Sequence, residues 1–219
     1  MTQGIPLARL ENYTTFQLGG PCKLLVECPT PESLMACVQE FHRQSMPFIL
    51  IGGGSNLVVS DEGLPCAVIR YASATPLIER DGCDLTVSGS TELDALALYC
   101  VNEGLSGLNF ATGIPGTVGG AVIGNAGAWG QQVGDVLTYV TLLTRSGKLH
   151  VINRTECGFQ YRHSKLKETG EIAMNIHFHL QDADPLELAQ ERMEILKKRA
   201  DKHPNLKTHP CAGSFFRNV

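Results

Sequence analysis

The chain has 219 residues, a net charge of −4 and a pI near 6.0, and its 43% hydrophobic content is enough to bury a core, which excludes a disordered chain. No run of Lys or Arg supplies the positive stripe that a nucleic-acid backbone requires, and no uninterrupted apolar stretch approaches membrane-spanning length. Residues 1–16 lack the basic region, apolar run and small-residue cleavage site of a signal peptide, so the expected compartment is cytoplasmic.

In chain order, "CKLLVEC" reads as a strand. "TPESLMACVQEFHRQ" reads as a helix with Thr30 at the N-cap, Pro31 at the first position and Leu34, Val38 and Phe41 on one face. Two apolar runs, "PFILIG" and "NLVVS", follow on either side of "GGGSN", and then "CAVIRY", which together make a compact β-α-β-β unit. From about Ala72 the character changes. "DLTVSGS" is strand-like, and "TELDALALYCVNEGL" is helical, with Ser90 or Thr91 as cap and Gly104 as stop. After a glycine-rich stretch, strands "VLTYVTLLT" and "KLHVI" flank a hairpin at Arg145-Ser146-Gly147. "EIAMNIHFHLQ" alternates, with Ile172, Met174, Ile176, Phe178 and Leu180 on one face, and "PLELAQERMEILKKRADKHP" is a charged amphipathic helix ending before Pro204. Eight cysteines at irregular intervals, with no C-x-x-C pair, fit reduced buried thiols better than a disulfide frame or a zinc site. His177 and His179 share one face of the alternating strand; with no third ligand evident, they read as solvent-facing residues rather than a metal pair.

Two glycine-rich stretches ask for an explanation, because glycine in an ordered segment gives up entropy and contributes nothing to a core. "FILIGGGSNLVVS" sets three glycines directly after a buried strand, where their N–H groups can converge on an anion. The spacing G-x-G-x-x-G is not met and no G-x-x-x-x-G-K-[ST] occurs, which removes both the dinucleotide fingerprint and the P-loop. On spacing alone, a tight hairpin and a phosphate cradle stand equal. "GIPGTVGGAVIGNAGAWG", Gly113–Gly130, holds seven of the 23 glycines and no charge. It suggests backbone laid along a flat, polar ligand, with the amide of Asn125 available for hydrogen bonding. Two such loops from different halves suit a long cofactor with a central pyrophosphate and a planar ring at one end.

"TTFQLGGPC", "IGGGSNLVVSDEG", "TGIPGTVGGAVIGNAGAWG", "FQYRHS" and "AGSFFRN" occur in order and at roughly the separations found in the UDP-N-acetylenolpyruvoylglucosamine reductases, which this chain resembles along nearly its whole length. The resemblance implies an α+β, two-lobed FAD-binding fold of the PCMH/VAO-like type. It assigns residues 1–71 to a first FAD-binding subdomain, 72–203 to a second, and 204–219 to the start of an α/β substrate domain that is otherwise absent, the chain reading as a fragment of a longer reductase. It implies FAD and NADPH as cofactors, UDP-N-acetylglucosamine enolpyruvate as substrate, a role in peptidoglycan precursor synthesis, and a monomer.

By the same resemblance, the FAD contacts are Gly52, Gly53, Gly54, Ser55 and Asn56 in the first loop and Thr112, Gly113, Pro115, Gly116, Thr117, Gly119, Gly120, Asn125 and Ala126 in the second. Arg162 in "FQYRHS" matches the arginine facing the substrate carboxylate, and Ser214 in "AGSFFRN" the serine that protonates the substrate carbon. Asn218 matches a substrate-contacting asparagine, Arg217 stands where a lysine is common, and Lys202 aligns loosely with a substrate-contacting lysine. Trp129 beside the second loop reads either as a wall of the flavin site or as ordinary packing. A non-catalytic FAD-binding module and another FAD-dependent oxidase of the same superfamily are the rival readings.

Overall fold

The computed structural model describes residues 4–206 and 208–214. Strand β1 (Ile5–Pro6) is followed by β2 (Cys22–Glu27), helix α1 (Pro31–Arg43), β3 (Phe48–Ile51) and β4 (Leu64–Arg70). The start of α1 is fixed as its sequence suggests: Thr30 caps it by accepting from the Ser33 N–H, Pro31 opens it, and Leu34, Val38 and Phe41 are its buried residues. The four strands form one sheet in the order β1-β2-β4-β3, in which β4 pairs parallel with both β2 and β3. "NLVVS" is not a strand. It lies in the connection from β3 to β4, where Leu57 and Val59 pack as loop residues against a small core around Leu10, Leu25 and Val68. With β3 and β4 parallel, the hairpin reading of the first glycine loop falls: the loop leaves the C-terminal end of a parallel strand.

The second half contains β5 (Ile78–Asp81), β6 (Asp84–Ser88), α2 (Leu93–Asn102), β7 (Leu105–Ser106), α3 (Val118–Gly124), β8 (Gly127–Ala128), β9 (Gln131–Gln132), β10 (Leu137–Leu143), β11 (Leu149–Asn153), α4 (Leu166–Thr169), β12 (Ile172–His179), β13 (Gln181–Asp182) and α5 (Pro185–Lys202). Five of these strands build an antiparallel sheet, β11-β10-β12-β6-β5. The expected caps of α2 act elsewhere: Glu92 precedes the helix without a side-chain cap, the Thr91 hydroxyl bonds the Leu77 backbone, and Ser90 donates to Pro29 O at 2.7 Å. The seven-residue α3 inside the glycine-rich stretch corrects the expectation of backbone laid out along a ligand.

A main core lies between the five-stranded sheet and α2 and α3, with Val87, Leu96, Val118, Val122, Val140, Ile176 and Phe178. A second core joins the halves, because α1 packs Leu34, Val38 and Phe41 against Val26 and Ile69 of one sheet and Leu143, Ile172 and Met174 of the other. Tyr71 closes this seam: its buried hydroxyl is 2.7 Å from Ser88 Oγ and donates to Met174 O at 2.9 Å. The cysteines are free thiols, and no helix among the described residues is long and apolar enough to cross a membrane.

Candidate functional site

The two glycine loops meet. Gly54, at φ 66°, turns the chain beside Tyr13 O, where a β-carbon would collide with the carbonyl. A β-carbon on Gly53 would stand 3.2 Å from the Cα of Gly116, and one on Gly116, at φ 113°, 2.7 Å from Ser55 Oγ. These glycines are therefore required by the contact of loop with loop. The polar side chains of the first loop are likewise turned onto the chain: Ser55 donates to Pro115 O at 3.1 Å and Asn56 to Ala212 O at 2.9 Å. What the loops leave open is main chain. Among the described residues, the N–H groups of Gly53, Gly54, Ser55, Asn56, Gly116 and Thr117 have no hydrogen-bond partner. Unpaired amides from two touching loops, one at the carboxyl end of a parallel strand, form a set of donors suited to a pyrophosphate.

Several residues expected at this site face inward. Gly119 is buried in α3 with its N–H on Gly89 O, and Val118 donates to Thr91 O, so the start of the helix is closed by the chain itself. Gly120 is exposed and alone among the expected glycines has only ordinary contact around its missing side chain. Asn125 corrects the expectation of a ligand-facing amide. It is fully buried, ends α3 at φ 43°, gives its Nδ2 hydrogens to Gln132 Oε1 and Gln160 O, and accepts from the Gly134 N–H. Ala126 exchanges main-chain bonds with Ala121 and Val133. Thr112 and Gly113 belong to a network that the sequence did not announce: Arg192 of α5 pairs through both terminal guanidinium nitrogens with Asp94 of α2, and also donates to Thr112 Oγ1, while Asp94 accepts from the Gly113 N–H at 2.7 Å. Burial works against the charge of Asp94, yet the hydrogen bonds from Arg192 and Gly113 hold its carboxyl below the usual range.

Arg162 occupies a two-residue turn between Gln160 and His163, whose main chains bond each other both ways. Its φ of 56° is a strained value for a non-glycine residue. The guanidinium donates to Gly127 O at 2.6 Å and lies over the Tyr161 ring, and no carboxylate of the described residues pairs with it. A fixed, unpaired cation thus stands beside the end of the second loop. Trp129 projects from the turn between β8 and β9 at φ 56°, 48% exposed, with Lys198 Nζ and Lys202 Nζ of α5 each 5.9 Å from its ring. The packing reading of this tryptophan is not met.

Ser214 is exposed and directly follows residues 211–213, which lie across the first glycine loop through the Asn56–Ala212 bond. Arg217 and Asn218 lie outside the described residues. His177 is half-buried, stacked on Tyr139 with ring centroids 3.8 Å apart and bonded to Thr86, so only His179, paired with Asp84, faces solvent as expected. No cluster of three metal-ligating side chains exists among the described residues. A cavity of about 580 Å³ lined by Leu137, Thr138, Arg154 and His179 shares no residue with the glycine loops.

The family profile of the FAD binding domain matches residues 22–153. The UDP-N-acetylenolpyruvoylglucosamine reductase of Agathobacter rectalis is 36% identical over 95% of this chain and 69% of its own length, and that of Bacillus subtilis 34% identical over 95% and 69%. The crystal structure of the enzyme of that name (MurB) from Thermus caldophilus superposes with a TM-score of 0.82 at 33% identity, covering the whole of this chain and 75% of that one. At the level of fold alone, 6-hydroxy-D-nicotine oxidase from Arthrobacter nicotinovorans matches with a TM-score of 0.60 at 16% identity over 83% of this chain and 42% of that one. The fold is the two-lobed α+β FAD-binding type, and the chain belongs to the UDP-N-acetylenolpyruvoylglucosamine reductase family of FAD-dependent oxidoreductases.

Proposed function

We propose that this chain carries the flavin site and the reacting side chains of a cytoplasmic, monomeric, NADPH-dependent reductase that converts UDP-N-acetylglucosamine enolpyruvate to UDP-N-acetylmuramate for peptidoglycan precursor synthesis. Residues 1–71 and 72–203 form the two walls of the cofactor cleft. The observation that carries this reading is the docking of the serine-bearing segment onto the first glycine loop, with Asn56 Nδ2 2.9 Å from Ala212 O. The relatives supply the reaction, since they bear the name of this reductase.

The unpaired N–H groups of residues 53–56, 116 and 117 hold the FAD pyrophosphate. Held by these amides, FAD would supply the hydride, drawn from NADPH, for the enolpyruvyl double bond. Arg162, already unpaired and fixed on Gly127 O, clamps the substrate carboxylate and holds the negative charge that develops on the enolpyruvyl group. Ser214 gives its hydroxyl proton to the carbon that hydride does not reach, and the alkoxide left behind regains a proton from solvent. Serine is a weak acid, so this transfer works only toward a strongly basic, carbanion-like centre. Lys202 and, outside the described residues, Asn218 contact the UDP-sugar.

The test is anaerobic titration of protein supplied with FAD. The expected record is visible flavin absorbance that bleaches with NADPH and returns when the enolpyruvyl sugar is added. Protein that stays colourless in excess FAD overturns the assignment. Bound flavin that NADPH does not bleach indicates a non-catalytic module, and oxygen consumption with an alcohol indicates an oxidase.

A further inference from the structure

We infer that Thr15 is a positioning residue for Ser214, an inference that rests on the reading of Ser214 as proton donor. The N-terminal segment is folded tightly before it reaches the site. Residues 10–13 form a 3-10 turn, Thr14 is buried with its hydroxyl on Leu18 O, and Gln17 reverses the chain at φ 55°. That fold presses Tyr13 and Thr15 against Gly54. On one side the Thr15 N–H donates to Gly54 O at 3.2 Å, which ties it to the cofactor loop. On the other, Thr15 O accepts from the Cys211 N–H at 3.2 Å and the Thr15 hydroxyl donates to Cys211 O at 2.7 Å. One residue therefore bonds Cys211 in both directions while being bonded itself to the loop that holds the cofactor.

Cys211 stands three residues before Ser214, and the residues between are also fixed. Asn56 holds Ala212 O, and Gly213, at φ 81°, turns the chain where a β-carbon would stand 3.0 Å from Asn56 Nδ2. Among these contacts, the Thr15 hydroxyl is the one side-chain group reaching the serine segment from outside the cofactor loop. Proton transfer in the transition state demands a donor within hydrogen-bond reach of the reacting carbon, and small displacements cost rate steeply. Thr15 accordingly serves protonation of the substrate and has no part in hydride uptake from NADPH.

The test compares Thr15→Val, which removes the hydroxyl at nearly constant shape, with Thr15→Ser, which keeps it. In rapid-mixing measurements, Thr15→Val should leave flavin content and the rate of flavin reduction by NADPH unchanged, and slow oxidation of the reduced flavin by the enolpyruvyl sugar about tenfold, with Thr15→Ser restoring most of it. In a Ser214→Ala background, adding Thr15→Val should cost nothing further. Independently of turnover, alkylation of Cys211 by iodoacetamide, followed on its own peptide by mass spectrometry, should be about tenfold faster in Thr15→Val and near the parent rate in Thr15→Ser. Equal slowing of both half-reactions, a full additional loss in the Ser214→Ala background, or unchanged Cys211 labelling overturns the inference. A Ser214→Ala protein with an unchanged oxidative half-reaction would remove the proton-donor reading and the inference with it. If Thr15→Val leaves no folded protein, Thr15→Ala, which removes the same hydroxyl with a smaller side chain, must show the same split.

Discussion

Asn125 and Arg162 meet at the same turn and divide the work between them. The amide of Asn125 holds Gln160 O, and Arg162, two residues later in the turn, reaches back to Gly127 O, so the buried side chain fixes the half-buried one. Arg162→Lys keeps the charge but loses the planar fork and the second set of donors. We expect it to take up FAD and accept hydride from NADPH as the parent does, while its oxidative half-reaction falls about 10²-fold, read by rapid mixing with the enolpyruvyl sugar. Asp94 governs a different property. Its carboxyl is held below the usual range in the folded protein, so its contribution to stability is complete at neutral pH and is lost as pH falls through about 4 and below. Denaturation curves across this range should show that slope, and Asp94→Asn should flatten it while lowering stability at neutral pH by about 2–3 kcal/mol, since Arg192, 12% exposed, loses its charged partner. The family was legible from its motifs, but the Asp94–Arg192 pair was not: two charges on separate helices, 98 residues apart, carry no local signal of meeting.

Helix α1 was readable to the residue because cap, proline and apolar face all agree. Helix α3 was not, since glycine lowers helix propensity and its seven residues include three of them, Gly119, Gly120 and Gly124. The signals present were its ends: Thr117 as N-cap and Asn125 in the left-handed conformation that terminates helices. Its glycines differ in kind, which gives a paired expectation. Gly119→Ala would set a β-carbon 3.1 Å from both Ala173 O and Gly89 O and should destabilise by about 1–3 kcal/mol. Gly120→Ala meets only Thr117 Oγ1 at 3.5 Å and should stabilise the flavin-free protein by about 0.5–1 kcal/mol, both by chemical denaturation. "NLVVS" misled in the opposite way: a short apolar run signals burial, and here Leu57 and Val59 bury against a core without pairing to any strand.

Across the molecule, the sequence showed strands but not their order: nothing local to "CAVIRY" tells that it enters between β2 and β3, or that the two glycine loops thereby come into contact. The halves are joined by a shared core under α1 and by Tyr71, whose phenol burial pushes up to about 12 and keeps as a neutral donor. Heat or denaturant should therefore unfold the chain in one transition, with circular dichroism and flavin release coinciding; two resolved steps would show that the sheets fold separately. The chain contains one tryptophan, and it stands at the tip of a β-turn under two lysine ammonium groups from the last helix. All indole emission thus originates from a single point, and any change that draws those ammonium groups away or brings a group against the ring alters its wavelength and intensity, giving the protein an optical gauge that needs no dye.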